Sequence, residues 1–142
     1  MINVKHKIYV FWFLLKIAAR LVWRGLVHDM SKFGWTEFYL IIPALPPDRA
    51  IPFNTPEYQT FLDKAKPAID HHYAMNTHHP EHYGNYKKMS MLDLVEMACD
   101  WRAASMRKFG GGDFEKSFEQ CQTRFGITDE TMTFLRTLKK EI

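Results

Sequence analysis

The sequence contains little cysteine: Cys99 and Cys121 are the only two among 142 residues. This excludes a secreted domain stapled by disulfides and a zinc module with cysteine ligands, and both thiols are expected to be reduced core residues. Reduced thiols in turn point to a cytoplasmic protein. An excess of one charge is also missing. Nineteen Lys and Arg against sixteen Asp and Glu give a net charge of +3, which alone does not support nucleic-acid binding.

A hydrophobic run long enough to span a membrane is absent as well. The apolar run over residues 8–15 is shorter than the roughly twenty residues of a spanning helix, and cations recur on both sides of it, at Lys7 and Lys16. We therefore expect no membrane partner. The segment is interpreted as a core helix with one solvated side, ending at Gly25.

Strand patterns are almost absent, whereas helix signals recur along the chain. Thr55-Pro56 is typical of a helix start, Pro67 can restart a helix, and Ser90 to Asp93 resembles a capping box. Two amphipathic helices are predicted over residues 114–125 and 129–138, after the glycine joint at 110–112, and residues 43–56 form a proline-rich loop. The predicted fold is all-α, a compact single-domain bundle of about six helices. Residues 1–109 are assigned to a helical core and 110–142 to a C-terminal helical extension packed on the same domain.

Histidine is the residue that stands out, with seven copies at positions 6, 28, 71, 72, 78, 79 and 82. His28 and Asp29 are adjacent at the end of an apolar segment, and Lys32 follows. An imidazole and a carboxylate are both ligands for transition metals, and a carboxylate can bridge two ions because it has two oxygens. The alternative is a helix end that Asp29 caps, with His28 incidental.

Five histidines fall within residues 71–82. If a helix continues through this segment, His72, Asn76 and His79 share one face, and Pro80 favours a break that can redirect His78. The alternative is a solvated, histidine-rich surface helix.

Two further residues are candidates with weaker patterns. Asp100 follows the apolar stripe of a predicted helix, where a carboxylate is costly to bury without a cation or donors; it can instead be exposed and paired with Arg107 or Lys108. His6 is predicted to face inward on the first helix, either as a ligand or as a core histidine.

In their order along the chain, these residues resemble the ligands of the HD-domain superfamily of all-α metal-dependent phosphohydrolases. The segment Leu26 to Lys32 looks like the family phrase LLHDIGK, with Ser31 where the family usually has glycine, and His78-His79-Pro80-Glu81 is similar to its HHE element. The loop before the second cluster leaves open whether His71 or His72 is the third ligand. To about Phe109, the chain resembles more closely a small family of unknown function from phage and bacterial genomes.

The resemblance implies an HD-domain-like fold and two divalent transition metal ions, of iron, manganese, cobalt, nickel or zinc. The implied ligands are His6, His28, Asp29, His72, His78, His79 and Asp100. Asp29 and Lys32 are the implied catalytic residues, with a metal-bound hydroxide as nucleophile, while Lys32, Asn76 and Arg102 are candidates for substrate contact. His82 has no counterpart and is interpreted as a surface residue.

The function implied is hydrolysis of a nucleotide or another small phosphoester. The partner is then a small phosphorylated substrate rather than a nucleic acid, and a homodimer is left open. The alternatives are an HD-type di-iron oxygenase and a non-catalytic HD fold that binds a nucleotide or a protein.

Overall fold

The computed structural model describes residues 3–41, 55–106, 114–138 and 141, and within these ranges the chain is helical, without strands. The helices are α1 (Val4–Val27), α2 (Trp35–Ile41), α3 (Pro56–Met75), α4 (Pro80–Tyr83), α5 (Met91–Met106), α6 (Phe114–Phe125) and α7 (Asp129–Leu138). Two 3₁₀ turns, Met30–Phe33 and Tyr86–Lys88, join them. The predicted all-α class is confirmed. Most of the predicted proline-rich loop and the glycine joint lie outside the described residues.

Helix α3 begins where its sequence predicts but does not stop at its internal proline. The Thr55 side chain accepts a hydrogen bond from the Tyr58 backbone N–H, and Pro56 occupies the first turn. The helix continues through Pro67, at a position where proline removes a backbone hydrogen bond and costs about 3 kcal/mol. Ala65 and Ala68 are both fully buried. We infer that burial of this face, on both sides of the proline, offsets the cost of keeping one continuous helix.

The predicted capping box at the start of α5 is present. The Ser90 backbone N–H donates to the Asp93 carboxylate at 2.8 Å, and the Asp93 N–H donates to the Ser90 hydroxyl at 3.2 Å. The same buried carboxylate accepts hydrogen bonds from Arg24 of α1 at 2.5 Å and from the Thr77 hydroxyl at 2.7 Å. Asp93 therefore joins three segments that are distant in sequence.

This capping carboxylate is expected to make the protein sensitive to acid. Burial alone would raise the pKa of Asp93, but hydrogen bonds from Ser90, Thr77 and Arg24 lower it to about 2, from an ordinary 3.8. A carboxyl whose pKa is lower in the folded state contributes stability above its unfolded pKa and loses it as the pH falls through the folded pKa. We expect Asp93 to account for about 2 kcal/mol of the free energy of unfolding that is lost between about pH 5 and pH 2. Urea unfolding at a series of pH values should show a flatter acid limb for Asp93→Asn, and an unchanged limb would contradict this assignment.

The hydrophobic core lies among α5, α6, α7 and the Tyr86–Lys88 turn. Its buried members are Tyr86, Met89, Met97, Ala98, Phe118, Ile127, Met132 and Leu135. The Tyr86 hydroxyl accepts a hydrogen bond from the Thr128 backbone N–H at 3.0 Å, which ties the turn to the start of α7. Residues on both sides of the predicted boundary at 109/110 thus share one core, while the boundary itself lies outside the described residues.

Helix α1 does not belong to this core, contrary to the prediction. None of its described residues is buried. Its contact with α5 is made at its C-terminal end, where Arg24 reaches Asp93 and Glu96. The helix passes Gly25 and ends at Val27, because His28 leaves the helical conformation, with φ −53° and ψ 128°. Among the described residues, no helix combines the length and the apolarity that a membrane crossing requires.

The expectation of two core thiols is also wrong. Cys99 is exposed on α5 and Cys121 is half-buried on α6, and neither forms a disulfide. The buried side of α5 is formed by other residues, Asp93, Met97, Ala98 and Ser105.

Candidate metal centre

A left-handed residue places the first two site residues. Asp29 has a φ of 56°, the one positive φ outside glycine among the described residues. Asp and Asn are the residues other than glycine that adopt this conformation most readily, which is the local reason why an acid occupies this turn. The chain reverses here between α1 and the Met30–Phe33 turn, and the Asp29 side chain is left largely buried.

Imidazole nitrogens from three segments converge on the Asp29 carboxylate. Its Oδ1 lies 3.4 Å from Nε2 of His72, on α3, and 3.5 Å from Nε2 of His78, in the turn before α4. The Nε2 atoms of His72 and His79 are 2.9 Å apart. On the other side, Nε2 of His28 lies 3.4 Å from Asp29 Oδ2 and 3.5 Å from Asp100 Oδ1.

These atoms form two groups that share one residue. Asp29, His72, His78 and His79 form the first group and His28, Asp29 and Asp100 the second, with the ligand atoms of each group within 4.8 Å of one another. Asp29 directs Oδ1 toward the first group and Oδ2 toward the second. One carboxylate with an oxygen on each side is the arrangement that bridges two cations. These residues therefore fit two metal ions.

Two buried atoms in the first group have no hydrogen-bond partner among the described residues. They are Asp29 Oδ1 and His78 Nε2. A buried polar atom left without a partner costs about 1–3 kcal/mol, so native structures rarely keep two side by side. An acceptor oxygen and an imidazole lone pair that face each other would both be satisfied by a cation between them. This pair is the structural sign of metal binding that does not depend on residue type alone.

Two carboxylates hold the opposite nitrogens of the same rings. Glu96 Oε1 lies 2.9 Å from His28 Nδ1 and 3.1 Å from His78 Nδ1, and Glu37 Oε2 lies 2.9 Å from His72 Nδ1. A carboxylate that accepts from Nδ1–H fixes the tautomer and leaves the Nε2 lone pair directed at the metal. His28, His78 and Glu96 form a third group of potential ligand atoms. We interpret this group as the carboxylate that orients the two rings and not as a further metal site, because Glu96 contacts their Nδ1 atoms.

Neither Glu37 nor Glu96 is among the residues that the sequence predicts for the site. Glu37 lies on the short helix α2 and is completely buried. It also accepts from His71 Nδ1 at 2.9 Å. The one available signal for Glu37 was an acid inside a segment rich in aromatic residues, Trp35 to Tyr39.

The surroundings set the protonation states that a metal requires. Burial alone would raise the pKa of Glu96, but hydrogen bonds from His78 and His28 and the charge of Arg24 lower it to about 2. Burial and then the neighbouring His78 and His72 lower the pKa of His79 to about 3, so its imidazole stays neutral. Burial raises the pKa of Asp29, but the hydrogen bond and the charge of the Lys32 ammonium help to lower it by more, so the net effect is a decrease. Ionised carboxylates and neutral imidazoles are the forms that bind metal.

The predicted substrate residues lie at different places around the site. Lys32 is half-exposed and forms an ion pair with Asp29 Oδ2. Asn76 ends α3, and its amide nitrogen donates to the His72 carbonyl at 2.8 Å and to the Ser31 hydroxyl at 2.7 Å. It also lines a cavity of about 290 Å³ that includes His78 and Glu96. Arg102 follows Asp100 by two positions on α5, which puts the two side chains on different faces.

The structure does not bring His6 to the site, and the prediction that it is a ligand is corrected. His6 and His28 lie at opposite ends of the continuous helix α1, which separates them by about 30 Å. Of the two alternatives for the third ligand, His72 is in the cluster and His71 is held by Glu37 beside it. His82 lies apart, half-buried, with Nδ1 at 3.0 Å from the Tyr73 carbonyl oxygen.

Fold and site define an all-α protein whose histidine and aspartate side chains could hold metal ions. The model of a family of unknown function (DUF5662) matches residues 3–142, and the chain belongs to this family. No match is found among the curated proteins or among the solved structures. The family carries no assigned activity, so the function is argued from the site.

Proposed function

We propose that this protein is an HD-type metal-dependent phosphohydrolase that acts on a nucleotide or another small phosphoester. The observation that carries the proposal is the Asp29 carboxylate, whose two oxygens face two separate groups of ligand atoms. Two ions would be held by His28, Asp29, His72, His78, His79 and Asp100. When bound in this way, such ions activate water at neutral pH and polarise a phosphoryl oxygen.

The donor set favours transition metals. Four imidazoles and two carboxylates, without a thiolate, suit iron, manganese, cobalt, nickel or zinc better than magnesium or calcium, which prefer oxygen ligands. The residues behind the ligands match this requirement, because Glu96 and Glu37 keep the imidazoles in the metal-binding tautomer.

The charge of the site supports an anionic substrate. Asp29 and Asp100 supply two negative charges among the ligands and Glu37 and Glu96 two more behind the rings, which together match the four positive charges of two divalent ions. Lys32 adds a cation beside Asp29, on the exposed side of the site. A phosphate group would complete the charge balance, with the Lys32 ammonium placed to stabilise charge on its oxygens.

Lys32→Ala is expected to lower kcat/KM for phosphoester hydrolysis about 100-fold while the bound metal is retained. The reason is that Lys32 contacts the outer oxygen of Asp29 but is not itself a ligand. Lys32→Arg should restore part of the activity, and Lys87→Ala, an exposed lysine on the Tyr86–Lys88 turn, is the matched control. Elemental analysis and steady-state kinetics measure the two effects. Full activity in Lys32→Ala would remove this residue from the mechanism.

The test of the proposal combines metal content with turnover. Elemental analysis of the purified protein comes first, followed by a screen of nucleoside monophosphates and cyclic nucleotides for phosphate release, without oxygen and with manganese or cobalt. Metal-dependent phosphate release supports the proposal. An obligate iron requirement with oxygen consumption would replace it with oxygenase chemistry, and protein without metal above trace level would favour a binding role without turnover.

A further inference from the structure

Helix α1 carries an exposed apolar surface that the metal centre does not use. Every residue from Val4 to Arg20 is exposed. At helical spacing, five apolar side chains fall on one line, here named the apolar stripe, and they are between 43% and 64% exposed. The apolar stripe consists of Val4, Ile8, Phe11, Leu15 and Val22. Contiguous apolar surface of this kind on a folded protein marks a site of interaction.

Charge on the same helix has one sign only. Residues 3–27 include five cations and neither Asp nor Glu. Arg24 is paired with Asp93 and Glu96 at the end that contacts α5, whereas the other four cations are exposed. Those four are Lys5, Lys7, Lys16 and Arg20. Trp12 lies between the apolar stripe and the line of Lys5, Lys16 and Arg20, so one aromatic ring borders the apolar surface, while Tyr9 lies on the cation line itself.

We propose that α1 docks on an anionic lipid surface. The helix would lie in the plane of the interface, with the apolar stripe below the headgroups and the lysines and arginines at the lipid phosphates. An apolar face, a neighbouring line of cations without acids and an aromatic ring between them are features of interfacial helices. The helix lies on the membrane in this proposal and does not cross it.

The orientation of α1 on the body permits this contact. Leu21, Arg24 and His28 are half-buried and mark the side that faces the rest of the molecule. Val22 and Leu26 are 64% and 70% exposed and lie on the other side of the helix. The apolar stripe ends at Val22, so it can enter a lipid surface while Arg24 keeps its ion pairs with α5.

Two other occupants fit the same helix less well. Two copies packed along α1 would bring together eight exposed cations without a carboxylate in either segment, and like charges oppose such pairing. A nucleic acid would engage the cations but leave the apolar stripe in water. The expectation of no membrane partner was based on an apolar run too short to span a bilayer, and a helix that lies in the plane of the interface does not need to span it.

Co-sedimentation of the full chain with vesicles tests the proposal. We expect binding to vesicles of equal parts phosphatidylglycerol and phosphatidylcholine, weak binding to phosphatidylcholine alone, and a loss of affinity when salt is raised from about 0.1 M to about 0.5 M. Lys16→Gln with Arg20→Gln should weaken binding about 25-fold, since each cation near an anionic surface contributes about fivefold. Lys87→Gln with Lys88→Gln removes the same charge elsewhere and should leave binding unchanged.

A second double variant tests the apolar part. Phe11→Ser with Leu15→Ser keeps every cation and should still abolish sedimentation with anionic vesicles, with an unchanged circular dichroism spectrum. The proposal is overturned if the chain does not bind anionic vesicles. It is equally overturned if the variant with Lys16→Gln and Arg20→Gln binds them as tightly as the variant with Lys87→Gln and Lys88→Gln. It is also overturned if light scattering shows a dimer in solution that Phe11→Ser with Leu15→Ser converts to a monomer, because α1 would then pack on a second copy.

Discussion

Asp29→Ala is expected to abolish metal retention and turnover while leaving the helical circular dichroism spectrum largely intact. Asp29 is the one residue shared by both groups of ligand atoms, so its loss removes a ligand from each. Alanine also carries a cost of about 1 kcal/mol at the left-handed φ of 56°, which would appear as lower stability without bearing on metal binding. Elemental analysis after dialysis, together with a phosphate-release assay, measures the outcome.

Asp29→Asn separates these two effects. Asparagine tolerates the left-handed conformation, so stability should be kept, but an amide has one oxygen and no charge and cannot bridge two cations. We expect this variant to lose metal as Asp29→Ala does. His82→Ala is the matched control, because His82 contacts the Tyr73 carbonyl outside the cluster and its loss should change little. Two ions retained by Asp29→Asn would rule out Asp29 as the ligand that bridges them, and strong metal loss in His82→Ala would mean that the ligand set is drawn wrongly.

Glu96→Gln is expected to weaken metal binding about 10- to 100-fold although Glu96 is not proposed as a ligand. Its carboxylate accepts from His28 Nδ1, His78 Nδ1 and Arg24 at once. An amide offers one acceptor oxygen and turns an N–H group toward the remaining donors, so at least one ring loses its orientation. The free energy of unfolding of the metal-free protein should also fall by about 2 kcal/mol, since Arg24 and one imidazole lose a buried partner.

Competition against a chelator measures the affinity, and urea unfolding in metal-free buffer measures the stability. Glu115→Gln provides the control, because Glu115 forms an exposed ion pair with Arg136 and makes no contribution to the site. A merely structural Glu96 would lower stability without changing metal affinity. Unchanged affinity in Glu96→Gln would therefore disprove its role in positioning the ligands.

Local chemistry predicted much of this fold. The capping box at Ser90 and Asp93 and the start of α3 at Thr55 follow from side chains three residues from the groups they satisfy, and both are present. Helices α6 and α7 occupy the ranges that their amphipathic patterns predict. Such features depend on neighbours in sequence, which is why residue types alone suffice for them.

Other features depend on contacts between distant segments. Periodicity shows which residues of α1 share a face, but it does not show whether another helix covers that face. In the structure α5 packs its buried apolar residues on α6 and α7 and not on α1. The role of Glu37 requires α2 to pack on α3, so that its carboxylate reaches His71 and His72. The order of histidines and aspartates predicts a ligand set because it draws on a family pattern, and the structure shows which of those residues meet.

Helix geometry alone argues against His6 as a ligand. The first helix is predicted to continue unbroken to Gly25, and a helix rises about 1.5 Å per residue. A residue in its first turn and another just past its last therefore cannot contact one ion. The length of the predicted helix thus excludes His6 from the ligand set without reference to any tertiary contact, whereas the family order of histidines includes it.

The dispersed origin of the metal ligands has a consequence for the whole chain. They come from the end of α1, the end of α3, the turn before α4 and the middle of α5, so the bound ions would act as a non-covalent cross-link between segments some seventy residues apart. Such a cross-link closes long loops, whose entropy cost rises only slowly with length, and it holds α1 at its C-terminal end, where Arg24 already contacts α5. Metal supply would then set how firmly this helix is anchored to the body.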